Sequence, residues 1–202
     1  MPSFIPYISL TLSLALSAVL AHAQTVIRAD HTDLEPIISK DAEGFRACGV
    51  RAMVLAGERK QGWMYEFTVS VYPDLLGGLA RAGKYTPLEV LSKSTRTPVR
   101  PGPTAFWIAS PERGTRVALD KLMPDNPGFI AGPTELLPSL ETVVNIATGK
   151  QIQFALRYKN EKADRIVSFA KTMSDADLRA LLACTEGIDE RMMKALDARR
   201  AQ

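Results

Sequence analysis

Trp63-Met64-Tyr65-Glu66-Phe67-Thr68-Val69-Ser70-Val71 puts an aromatic or β-branched residue at every second position. Period two is the signature of a strand with one buried face. Trp63, Tyr65, Phe67, Val69 and Val71 point toward the core, and Glu66, Thr68 and Ser70 point away. Just upstream, Val50, Ala52 and Val54 alternate with Arg51, Met53 and Leu55. The polar Gly57-Glu58-Arg59-Lys60-Gln61-Gly62 lies between the two runs. Two alternating runs joined by a glycine-rich turn predict an antiparallel hairpin with an aromatic inner face.

The rest of the chain extends that hairpin. Residues 25–28 predict a short strand and 34–39 a helical turn. Pro73 stops the aromatic strand, and Leu75, Leu76 and Leu79 predict a short helix ending at Gly83. Residues 92–103 end in Pro98-Val99-Arg100-Pro101-Gly102-Pro103; three prolines fix φ and remove three donors, so this stretch runs extended on the surface. Strands are expected at 104–109 and 115–119, and 124–128 has the composition of a loop. A helix over 139–147 presents Leu140, Val143, Val144 and Ala147 on one face and stops at Gly149. Strands follow at 151–158 and 163–170. Ser174 caps the next helix, with Leu178, Leu181 and Leu182 as its inner stripe. Beyond Gly187 a last helix turns Ile188, Met192, Met193 and Leu196 inward. Short turns rather than helical crossovers join the strands. The expected class is therefore α+β: antiparallel hairpins forming a sheet or sandwich with C-terminal helices packed on it.

From residue 134 to 184 the chain runs helix, Gly149-Lys150, strand, polar turn, strand and a capped helix ending Leu181-Leu182-Ala183-Cys184. This order resembles the C-terminal layout of the invasion-associated locus B family of small exported bacterial proteins. The resemblance covers about a quarter of the chain, and it implies a β-rich, non-catalytic envelope module.

Residues 1–23 contain no Asp, Glu, Lys or Arg. They carry an apolar run over 8–21 and end Ala21-His22-Ala23, a small-x-small cleavage pattern. A run of about 14 residues is short of the roughly 20 that span a bilayer, so 1–23 is expected to be a secretory signal peptide. Residues 24–202 then form a single globular domain, periplasmic or secreted. The only two cysteines, Cys48 and Cys184, are expected to pair in an oxidising compartment. They would close a loop of about 137 residues, for which chain entropy gives an upper figure of roughly 5 kcal/mol. The alternatives are two free thiols or a cysteine nucleophile served by His31. Of 202 residues 46% are hydrophobic and 23% charged, with a net charge of +3. That composition excludes a disordered or collagen-like chain, and the charge is too mild for a nucleic-acid partner.

Catalytic motifs fail one by one. Gly78-Leu79-Ala80-Arg81-Ala82-Gly83-Lys84 has phosphate-loop spacing, but Tyr85 stands where Ser or Thr must hold Mg²⁺. Ser168-Phe169-Ala170-Lys171 matches Ser-x-x-Lys, a geometry that needs a helix; on a strand, positions three apart face opposite sides. Asp30, His31, Asp33 and Glu35 suit a solvated turn, with a weak cation site as the alternative; zinc and calcium both need more ligands. No dinucleotide fingerprint is present, and no cofactor or metal is expected. Arg96 and Arg100, with Trp107 nearby, form a candidate binding strip for an anionic envelope component or protein partner. The expectation is an exported, non-catalytic envelope binding or accessory protein. The alternative is a periplasmic hydrolase using Ser168 and Lys171 or a carboxylate pair.

Overall fold

The structure, a computed structural model, describes residues 23–56, 62–85, 101–110, 115–118, 123–125 and 128–201. The apolar N-terminal segment lies outside the described residues apart from Ala23, and so do Arg96 and Arg100. Among the described residues no helix is long and apolar enough to cross a membrane.

The fold is α+β. The chain begins with β1 (Ala23–Arg28), β2 (His31–Asp41), β3 (Gly44–Ala56), β4 (Trp63–Tyr72) and β5 (Gly77–Tyr85). It continues through β6 (Ala105–Ser110), β7 (Thr115–Ala118), β8 (Met123–Asp125) and β9 (Phe129–Glu135). Then come α1 (Leu136–Ala147), β10 (Ile152–Arg157), β11 (Ala163–Phe169), α2 (Asp175–Gly187) and α3 (Asp189–Arg200). One sheet has six antiparallel strands in the order β2-β3-β4-β5-β9-β8, and the other has five in the order β1-β11-β10-β6-β7. The predicted hairpin is the spine of the larger sheet, with Val54 opposite Tyr65 and Ala52 opposite Phe67.

The two sheets face one another across a shared core. Val50, Val54, Tyr65, Phe67 and Val69 of the larger sheet bury against Phe106, Ile108, Phe154, Leu156 and Val167 of the smaller. The Phe67 ring stacks on Phe154 at 5.3 Å and meets Phe106 edge-on at 5.6 Å. Burying each such ring removes about 2 to 3 kcal/mol of unfavourable hydration. Thr32, Val54, Tyr65 and Lys84 form one row of cross-strand partners across the larger sheet. Three successive parts of the chain around β11 reach that row: Lys171 bonds to Thr32, Arg165 to Tyr65, and Lys84 to Glu161. β11 thus runs crosswise over the strands beneath it, the arrangement of an orthogonal sandwich.

The helices cover the rest of the inner face. Val143, Ile146 and Ala147 of α1 join the core. A side chain on Gly78 of β5 would collide with Ser139 of α1, so glycine here permits the close helix–sheet approach. Leu181 of α2 is buried in the same core, and the Asp177 N–H donates to the Ser174 hydroxyl at 3.2 Å, the expected cap. Cys48 on β3 and Cys184 on α2 are disulfide-bonded, with Cα atoms 5.8 Å apart, in a satellite core with Val71 and Ile188.

Several expectations are corrected. The helical turn at 34–39 is strand β2, because Leu34, buried while Asp33 and Glu35 are exposed, follows period two. The helix expected around Leu75–Gly83 shrinks to the 3₁₀ turn Pro73–Leu75, and β5 takes over at Gly77 to pair with β4 and β9. Pro124 and Asp125 lie in the short edge strand β8. β1 pairs with β11 in parallel, so not every neighbour is antiparallel. Leu182 is 47% and Met193 54% exposed, and α3 fully buries no residue; Met192 and Leu196 are half-buried, and Ile188, at its cap, is fully buried.

Candidate functional site

The chain changes sheets at Ala29 and Asp30. The Ala29 N–H donates to the Ser168 carbonyl in the smaller sheet, and the next N–H, on Asp30, donates to the Leu55 carbonyl in the larger. This corner opens a cleft of about 600 Å³ whose lining includes Arg28, His31, Thr32, Gln151, Ser168 and Lys171. Sequence patterns singled out Ser168 and Lys171 by one motif and His31 by another; the fold gathers them in one place.

Their contacts define what the cleft does. Ser168 is paired across the strands with Arg28 and Gln153, so all three share one face of the smaller sheet. Its hydroxyl, nearly buried, accepts a hydrogen bond of 3.0 Å from the Gln151 amide. Lys171, past the end of β11, donates its ammonium to the Thr32 carbonyl at 2.5 Å and stands 3.8 Å from the Asp33 carboxylate. An ammonium with that acceptor has no lone pair to offer Ser168. The serine and the lysine therefore belong to different hydrogen-bonding groups, as expected for positions three apart on extended chain. His31 stands 3.8 Å from Asp33, and both are exposed on the β2 edge. His31, Asp33 and Glu35 follow one another along one face of β2, spread over about 13 Å at strand spacing. Among the described residues no group of three or more His, Cys, Asp or Glu is placed to hold a metal ion.

Glu66 points away from Tyr65 and Phe67, as the alternation predicts, yet the face it occupies is covered. Its carboxylate is 3% exposed and takes Arg51 at 2.7 Å, Arg81 at 2.5 Å and the Tyr85 hydroxyl at 2.6 Å. Burial alone would raise this carboxyl, but the hydrogen bonds from Tyr85 and Arg51 outweigh it and hold the group below its ordinary range. Arg81 also lies 3.9 Å over the Phe129 ring, in a small cluster where Met53, Met64 and Tyr85 are buried too. Both oxygens of Glu66 are committed, so this is a strut rather than a reactive carboxylate.

Trp107 is half-buried on the outer face of β6, while its neighbours Phe106 and Ile108 point into the core. The Arg157 guanidinium, held by the buried Asp164 at 2.7 and 2.8 Å, lies 5.6 Å from its ring centre. Arg157 is thus one basic neighbour of Trp107 among the described residues. Arg28, Gln151, Arg157 and Glu66 escaped sequence reasoning because nothing local marks them: each acts through a partner on another strand. Comparison with known proteins finds no matching family model, no similar curated protein and no similar solved structure.

Proposed function

We propose that this protein is an exported, non-catalytic binding module of the cell envelope, and that the cleft at the β1–β2 corner holds an anionic envelope polymer. The observation that carries the reading is the Lys171 ammonium. It donates to the Thr32 carbonyl at 2.5 Å and is held there as a cation, where the hydrolase reading needs a base beside Ser168. Arg28 stands on the same rim, where His31 adds an imidazole. Fixed cations on an open surface attract polyanions at long range and lose that attraction in salt. Export is supported by the uncharged apolar segment ending Ala21-His22-Ala23 and by the buried Cys48–Cys184 pair. The resemblance of residues 134–184 to an exported family points the same way.

Retention on heparin, as a model polyanion, and on envelope fractions tests the reading. The parent protein should be retained at low salt and released by about 0.3 M salt, where screening acts within roughly 6 Å. Arg28→Ser with His31→Ser should elute earlier. In parallel, a fluorophosphonate probe that labels activated serines should leave Ser168 unmodified; stoichiometric labelling there would replace this reading with the hydrolase.

A further inference from the structure

A further opening among the described residues lies beside β1, at the turn joining β10 to β11. It measures about 380 Å³ and is lined by Thr25, Ile27, Glu161, Lys162, Ala163 and Arg165. Behind it the row Tyr65–Lys84 of the larger sheet meets Arg165 and Glu161 of the smaller. Lys84, only 4% exposed, bonds to one Glu161 oxygen at 3.0 Å, and Arg165 bonds to the other at 2.5 Å. Arg165 also donates to the Tyr65 hydroxyl at 3.0 Å. The remaining sides of Lys84 are filled by rings, with Trp63 at 4.6 Å and Tyr158 at 4.1 Å from its nitrogen.

The charges and donors around this opening do not balance. Lys84 and Arg165 both bond to one carboxylate, that of Glu161, and the exposed Lys162 stands on the same rim. An ammonium has three donors and a guanidinium five, yet Lys84 and Arg165 share only the two Glu161 oxygens and the Tyr65 hydroxyl as described acceptors. The Tyr158 hydroxyl is buried and makes no hydrogen bond at all. A protein interior tolerates unpaired donors and excess positive charge poorly, because low dielectric strengthens the field of each unmatched charge. A second carboxylate entering the opening would meet the guanidinium of Arg165, which lines it and is the group best shaped to hold a carboxylate. Ile27 and Ala163 on the same wall offer an apolar surface for the rest of such a molecule.

We propose that this opening is a binding site for a small monocarboxylate with an apolar body, anchored on Arg165 and backed by the Lys84–Glu161 pair. The site is separate from the corner cleft and does not depend on the function assigned there. Its volume fits a ligand of roughly ten to fifteen heavy atoms, at the small end of ordinary ligand pockets. Burial is the main influence on Lys84 and, despite its bond to Glu161, holds its ammonium below the ordinary lysine range, in keeping with a cation short of acceptors.

The chain has two tryptophans, Trp63 with its ring centre 5.6 Å from the Arg165 guanidinium and Trp107 on the outer face of β6. Their indole N–H resonances, assigned with Trp107→Phe, report the two places separately. Titration with sodium benzoate should shift the Trp63 signal saturably and leave Trp107 in place, while neutral benzamide at equal concentration shifts neither. Ala163→Phe, which fills the opening and leaves every ion pair intact, should weaken benzoate at least about tenfold with an unchanged melting temperature. Arg165→Lys, which keeps the charge but loses the planar fork, should also weaken it. No saturable benzoate shift, an equal response to benzamide, or an Ala163→Phe protein that binds like the parent would each overturn the proposal.

Discussion

Lys84 on β5 and Glu161 in the β10–β11 turn are 77 residues apart in sequence and 3.0 Å apart in space. Their bond ties the two sheets together at one end of the row that Lys171 and Thr32 close at the other. Lys84 is almost fully buried while Glu161 keeps partial contact with water, so the two partners are not equivalent.

Glu161→Gln should therefore cost more than Lys84→Met. The first leaves a buried ammonium and Arg165 without their carboxylate, a loss of about 3 kcal/mol. The second removes the buried charge along with the bond and keeps the apolar stem, at a cost of about 1 kcal/mol. Urea unfolding of both variants checks the order; a costlier Lys84→Met would mean that the ion pair is strongly stabilising in its own right.

Acid should release the Glu66 strut. Its carboxyl is held below the ordinary value, against burial, by Tyr85 and the two arginines, so the native state binds its proton less readily than the unfolded chain. The stability it contributes is complete above the ordinary carboxylate range and is lost as pH falls below about 4. Glu66→Gln should be less stable at pH 7 by about 3 kcal/mol, and its stability should fall less steeply between about pH 4 and 2.

At the alkaline end the sign reverses. Burial, aided by the bond to Glu66, pushes the Tyr85 phenol up to about 12. The native state keeps a proton that the unfolded chain sheds near pH 10, so stability present below about pH 10 is lost as pH rises toward 12. Tyr85→Phe should remove part of this alkaline loss; an identical alkaline limb in the variant would place it on other groups.

Denatured, unreduced protein should contain no titratable thiol, given the buried Cys48–Cys184 bond. Reduction should lower stability by several kcal/mol, with about 5 as the ceiling for so long a loop. Two thiols in the oxidised protein would remove the bond.

The alternation in 63–71 was enough to predict the central hairpin, and a serine followed by acidic residues was enough to predict the Ser174 cap. Both depend on neighbours within a few positions, where pleat geometry and the first helical turn act directly. Residues 34–39 and 75–83 went wrong because short leucine and isoleucine clusters fit either period, and only pairing with β3, β4 and β9 decides between them. The burial of Glu66 was not legible for a related reason: alternation says which residues share a face, but not whether that face is covered.

The amino-acid sequence by itself determined the α+β class, most of the strands, the cap and the pair of cysteines free to join, because local periodicity and composition suffice for these. The tertiary structure alone decided that Ser168 and Lys171 share a cleft yet serve different partners, and that Lys84 meets Glu161. Those relationships arise where one sheet crosses another. The crossing sets which side chains come within a few ångströms of each other, and at that range, out of water, charge interactions become strong enough to matter.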